Sequence, residues 1–168
     1  GEWGDVGRRA WTGVRAVKES VERMFLGRFT HNIDAKGRLT VPVRFRAAIS
    51  GGAYITQGFD RNLLVYTSES FQRLAERAAH LTATNPEARA VRRVIFGGAH
   101  EVELDTAGRI LIQPFLREYA GLDGESMIVG AGEYFEIWNS EIWLKESTSV
   151  SDPETNARRF VDFDLSSG

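Results

Sequence analysis

The sequence has no cysteine, only four prolines among its 168 residues, and no apolar run approaching the roughly 18 residues that a membrane span requires. Without thiols there is no disulfide, thiolate metal site, iron–sulfur cluster or cysteine nucleophile, and the chain suits a reducing compartment. The three histidines, His31, His80 and His100, lie far apart and show no ligand spacing such as His-x3-His, so neither a metal nor a cofactor is expected. The first 23 residues are rich in Arg and Glu and lack the apolar centre of a secretion signal. What remains is ordinary globular composition, 42% hydrophobic and 26% charged. It predicts one domain or two half-size modules packed together, soluble, cytoplasmic and without a membrane partner.

A net charge of -2 argues at first against a polyanionic partner, but the charge is unevenly spread. Residues 24 to 98 carry 11 basic and 5 acidic side chains, whereas residues 99 to 168 carry 5 basic and 14 acidic. Such a split suits a chain whose first half meets a polyanion, or one whose oppositely charged halves meet in an assembly.

The chain also repeats itself. Asp34-Ala35-Lys36-Gly37-Arg38 followed by Leu39-Thr40-Val41-Pro42 returns as Asp105-Thr106-Ala107-Gly108-Arg109 followed by Ile110-Leu111-Ile112-Gln113-Pro114, an offset of 71. Taking Gln113 as an insertion, the offset becomes 72 and pairs Pro42 with Pro114, Gly58 with Gly130, Ser68 with Ser140 and Phe71 with Trp143. This predicts a tandem duplication. Phe29 to Ile33 and Arg38 to Val41 read as the strands of a hairpin, with Gly37 supplying the positive φ of its turn. Pro42 opens a short helix ended by Ser50-Gly51-Gly52. Two strands follow, near 53–57 and 63–67, and Ser68 caps a helix whose Phe71, Leu74, Ala75, Ala78 and Leu81 share a face. Asn85 and Pro86 start a linking helix with Val91, Val94 and Ile95 turned inward and Arg89, Arg92 and Arg93 outward.

Chemistry concentrates in the two turns. Asp34 and Arg38 enter and leave a tight loop, so the carboxylate can accept the turn's backbone N–H groups or pair with the guanidinium. Cations on a rigid turn suit phosphate, and Arg can also read guanine bidentately from the major groove. Other clusters predict less: Tyr134, Phe135, Trp138 and Trp143 read as core or subunit interface, and the Arg89, Arg92, Arg93 stripe as a solvated helix face.

Met24-Phe25-Leu26-Gly27, the paired Asp-x-Lys-Gly-Arg and Asp-x-x-Gly-Arg turns, and Ala88-Arg89-Ala90-Val91-Arg92-Arg93 together resemble the MraZ family of bacterial transcriptional regulators over Met24 to about Glu146. The resemblance implies an α+β, mainly β fold: two tandem AbrB-like (SpoVT-AbrB) swapped-hairpin units forming a pseudo-two-fold β-barrel with flanking helices. It implies a homo-oligomeric ring, nucleoid-associated, that binds double-stranded operator DNA at repeated G-rich boxes and represses its own operon of division and cell-wall genes. The DNA-contacting residues it designates are Arg38, with Lys36 beside it, and Arg109. Ala107 stands where the first turn has Lys36, which weakens the second turn's share. Asp34, Gly37, Asp105 and Gly108 are then the structural residues of the turns. Two other functions compete: a ring-forming interaction module without DNA readout, and a hydrolase using Asp34 and Asp105 as a carboxylate pair. The second conflicts with Asp–Arg pairing, which keeps a carboxylate ionised.

The expected organisation is an N-terminal extension (1–23), disordered or preceding a natural start at Met24, a first repeat (24–82), a linking helix (83–98), a second repeat (99–148) and a flexible tail (149–168). The extension is expected to be translated regulatory DNA. Trp3-Gly4 and Val6-Gly7 can be encoded by TGGGG and GTGGG, whose G-rich boxes start 10 nucleotides apart, about one turn of B-DNA. Lys18-Glu19 can likewise be encoded by a ribosome-binding AAGGAG.

Overall fold

Each repeat completes its sheet with a strand from the other. A computed structural model describes residues 2–166; residues 1 and 167–168, the ends of the expected extension and tail, lie outside the described residues. Strand β1 (Arg28–Asn32) of the first repeat pairs with β7 (Glu125–Gly130) of the second, and β5 (His100–Val102) of the second pairs with β3 (Ala53–Gln57) of the first. Strands β3 and β4 (Leu63–Thr67) form one hairpin and β7 and β8 (Tyr134–Asn139) another. Pairing of β4 with β8 joins them into a six-stranded antiparallel sheet of order β1-β7-β8-β4-β3-β5. The remaining strands, β2 (Arg38–Thr40) and β6 (Arg109–Leu111), pair with each other as a separate ribbon.

The expected hairpin at 29–41 is therefore no ladder. Its strands meet at the bridge Ile33↔Leu39 and then part, β1 to the sheet and β2 to its counterpart in the other repeat. Burial explains the choice: crossing over lets Leu39 and Ile110 be fully enclosed, at 0% and 1% exposure. Removing a Leu or Ile side chain from water stabilises by about 1.5–3 kcal/mol. The strand pairing gives a six-stranded sheet with β1 and β5 at its edges and a separate two-stranded ribbon, without the ladder closure that would establish the expected β-barrel.

The core lies between sheet, ribbon and the short helices after the turns. These are α2 (Val43–Arg46), which continues as a 3-10 turn over Ala47–Ile49, and α5 (Pro114–Ala120). Phe45 of α2 packs against Phe25 and Phe135 with ring centroids 5.1 and 5.2 Å away. The offset of 71 persists here: buried Phe45 and Leu116 correspond, as do half-buried Arg46 and Arg117. It has become 72 by the next helix caps, Thr67 and Asn139. The extra residue thus falls after α5, not at Gln113, which is the N-cap of α5 and the counterpart of Pro42.

Helix α3 (Ser68–Ala79) is capped by Thr67 rather than Ser68, because the Thr67 side chain is the one that accepts the Ser70 N–H. The linking helix α4 (Pro86–Arg92) passes into a π-helical turn at Arg93–Gly97. Val91 and Val94, expected to face inward, are 45% and 42% exposed. The inner face is instead Ala88, Arg92 and Ile95, at ordinary helical spacing, and Arg92 keeps its inner place by stacking its guanidinium on Phe96 and donating to the Ala78 carbonyl. Phe135, Trp138 and Trp143 are buried, and Arg28 lies over the Trp143 ring.

Both ends carry helices. Residues Glu2–Glu22 form helix α1, supported by Arg15–Glu19 and Lys18–Glu22 pairs one turn apart, with exposed side chains from Thr12 to Met24. After α6 (Ser140–Val150), Asp152 caps a last helix α7 (Pro153–Asp162) with Pro153 in its first turn. Asn156 and Arg159 tie α7 back to the carbonyls of Val150 and Ser149.

Candidate nucleic-acid interface

The two Asp-x-x-Gly-Arg turns fold alike because the same side chains solve the same hydrogen-bonding problem. In the first, Asp34 Oδ1 accepts the backbone N–H of Lys36 (3.0 Å) and of Arg38 (2.9 Å), and Oδ2 accepts Arg38 Nε (2.8 Å). In the second, Asp105 Oδ1 accepts the N–H of Ala107 and of Arg109 and Oδ2 accepts Arg109 Nε, each at 2.9 Å. Gly37 and Gly108 close the turns at φ 85° and 75°, in the left-handed region that disfavours any side chain. The Arg38 backbone N–H, then its guanidinium, holds the Asp34 carboxyl below the usual carboxylate range, and Arg109 does the same for Asp105. Both acids are thus kept ionised, the reverse of a pair sharing a proton.

Strand alternation then sorts the ribbon's side chains. With Arg38 opposite Leu111, Leu39 opposite Ile110 and Thr40 opposite Arg109, the inner face is Leu39 and Ile110. The outer face presents Arg38, Thr40, Arg109 and Leu111. Arg38 and Arg109 sit diagonally on it, each tied through Nε to its own Asp, which fixes the guanidinium plane while the Nη groups take no part in that bond. Lys36 projects from the first turn, exposed, and makes no ion pair among the described residues. The structure therefore brings Lys36, Arg38 and Arg109 to one surface, with Asp34, Gly37, Asp105 and Gly108 as its supports.

Two residues escaped the sequence reading. Arg46 Nε donates to the Val41 carbonyl at 2.9 Å and Arg117 Nε to the Ile112 carbonyl at 3.0 Å, equivalent bonds beneath the ribbon. A signal existed, since each arginine stands eight residues after the arginine of its turn, but placing the insertion at Gln113 hid the correspondence.

Comparison with known proteins agrees with this doubled site. A family model described as "MraZ protein, putative antitoxin-like" matches twice, at residues 24–94 and 95–163. The chain belongs to the MraZ family. It is 51% identical over 124 residues to a protein named Transcriptional regulator MraZ from Thermomicrobium roseum, covering 74% of this chain and 87% of that protein. Proteins of the same name from Herpetosiphon aurantiacus and Heliobacterium modesticaldum are each 42% identical, the first over 129 residues (77% of this chain, 90% of that protein) and the second over 143 (84% and 100%). Transcription regulation is thus the function class of this MraZ chain, and the repeat is a repeat of the family domain. The second match runs through α7, so the MraZ domain extends beyond residue 148. No described helix is long and apolar enough to cross a membrane.

Proposed function

We propose that the chain is a sequence-specific DNA-binding regulator that reads operator DNA through the β2–β6 ribbon and its two turns. The observation that carries this reading is the outer face of the ribbon: two short antiparallel strands presenting Arg38 and Arg109 diagonally, with Lys36 at one edge. The major groove admits a two-stranded ribbon, and an arginine with free Nη groups can address guanine O6 and N7 together. Lys36, a mobile point charge, suits phosphate. One ribbon per subunit gives modest affinity. In a closed homo-oligomeric ring, several ribbons meet repeated G-rich boxes together, and effective concentration multiplies the affinity. Acting on its own operon of division and cell-wall genes, such a ring would repress it from the nucleoid. Exposed apolar side chains at Phe59, Val91, Val94 and Phe96 favour assembly and keep a ring-forming module as the second reading.

Titration of a duplex carrying repeated G-rich boxes, beside a scrambled duplex of equal length, at two salt concentrations separates the readings. DNA readout predicts tight, salt-dependent binding that prefers the boxes; an interaction module predicts oligomers with no preference.

A further inference from the structure

The two glycines that close the turns leave room for arginines from the opposite repeat. A Cβ on Gly37 would stand 2.7 Å from Nε and 2.8 Å from Cζ of Arg117, and one on Gly108 would collide with Cζ and Nε of Arg46. Each guanidinium therefore lies flat against the other repeat's turn. The backbone crosses in the same sense: the Gly37 carbonyl accepts Ile112 N–H at 2.8 Å, and the Gly108 carbonyl accepts Val41 N–H at 2.9 Å. Ile112 and Val41 are the residues whose own carbonyls Arg117 and Arg46 hold. Arg117, Ile112 and Gly37 thus form one closed contact, and Arg46, Val41 and Gly108 its two-fold counterpart.

Neither arginine spends its charge on a carboxylate, since no ion pair joins Arg46 or Arg117 to an acid among the described residues. Arg46 also pushes the His31 pKa down, after burial. A planar guanidinium tucked under a glycine is a poor use of a charge and a good use of a shape.

We propose that Arg117 and Arg46 are crossed positioning residues: Arg117 of the second repeat seats the Asp34–Arg38 turn, and Arg46 of the first seats the Asp105–Arg109 turn. Neither turn then presents its arginine without the other repeat, which ties the duplication to the working of the site. The claim rests on the DNA-binding reading of those turns.

The test uses the full chain with Arg117→Lys and Arg46→Lys, which keep the charge and lose the flat, Nε-bonded group. Amide hydrogen exchange reads the turns without DNA. Arg117→Lys should speed exchange at Lys36 and Arg38 and spare Ala107 and Arg109; Arg46→Lys should do the converse. Loss of fold stability alone would move both turns alike. On the repeated-box duplex, Arg117→Lys should lose about tenfold in specific affinity, by analogy with the lower end of the loss caused when a metal ligand's supporting hydrogen bond is removed. Its salt slope should be unchanged, since no phosphate contact is lost. Equal exchange in both turns, or lysine variants that bind as the parent does, would overturn the assignment by showing support or charge alone to suffice. A parent chain that ignores the boxes, with the crossed exchange intact, would instead overturn the DNA reading and with it the purpose given to the crossing.

Discussion

Arg109 Nη1 lies 3.9 Å from Asp34 Oδ2, so the carboxylate of the first turn faces two guanidiniums, its own Arg38 at 2.8 Å and one from the second repeat. Among the described residues Asp105 is paired with Arg109 alone, at 2.9 Å. At this exposure the longer contact contributes little energy. It does show that Arg109, held by Asp105, stands beside the first turn, so that the two turns form one surface with Asp34 between the two arginines.

Replacing Asp34 by Asn should therefore do more than replacing Asp105. Asp34→Asn leaves Arg38 less firmly oriented and removes the negative charge that stands beside both Arg38 and Arg109, the arginines proposed to read DNA. Binding to a scrambled duplex should strengthen while discrimination between boxes and scrambled sequence falls. Isotherms on both duplexes check this, and discrimination lost equally in Asp105→Asn would contradict the asymmetry.

Acid should loosen both turns. The folded carboxyls of Asp34 and Asp105 ionise below the ordinary value of 3.8, so in the window beneath it the unfolded chain binds more protons and acidification favours unfolding. The stability they supply is complete above that value and is lost as pH falls through the depressed folded values. Denaturant melts from pH 7 downward should show a smaller acid loss in the Asp34→Asn, Asp105→Asn double variant than in the parent; equal losses would refute the linkage.

His31 gives a second pH effect of opposite chemistry and the same direction. Burial, then Arg46, holds its folded pKa below 6.5, so protonation is easier in the unfolded chain. Stability is full above pH 6.5 and declines as pH falls through 6.5 toward the lower folded value. Parent and His31→Gln melts at pH 7.5 and 5.5 should diverge, the variant losing less; parallel declines would place the effect elsewhere.

Lys36 should behave as a phosphate contact. Lys36→Ala is expected to weaken binding to every duplex alike and to reduce the slope of log affinity against log salt by about one. A change in sequence preference would show that Lys36 reads bases.

The turns were legible in the sequence because their chemistry is local: Asp34, Gly37 and Arg38 lie within five residues, and so do Asp105, Gly108 and Arg109. The duplication followed from the same strings. The partners of those turns were not legible. Whether β2 pairs with β1 or β6 depends on how Leu39 and Ile110 become enclosed together, a contact between residues 71 apart that no local pattern specifies. Arg46 and Arg117 stayed hidden for the same reason, since each acts on a turn of the opposite repeat. The terminal helices were missed on different grounds. Asp152-Pro153 is a helix-start signal within a polar stretch, and the side chains of α1 described from Thr12 onward are exposed, with one-turn charge pairs among them.

The most direct measurement of the central claim is the specific affinity of Arg38→Ala for the repeated-box duplex, taken beside its melting curve. Arg38 and its partner Asp34 are both partly exposed, so the fold should lose no more than about 1 kcal/mol. Loss of a bidentate base contact should cost about 1 to 3 kcal/mol per ribbon, multiplied wherever several ribbons bind together. The account predicts a nearly unchanged melt with preference for the boxes abolished; an Arg38→Ala chain that still prefers the boxes as the parent does would contradict it.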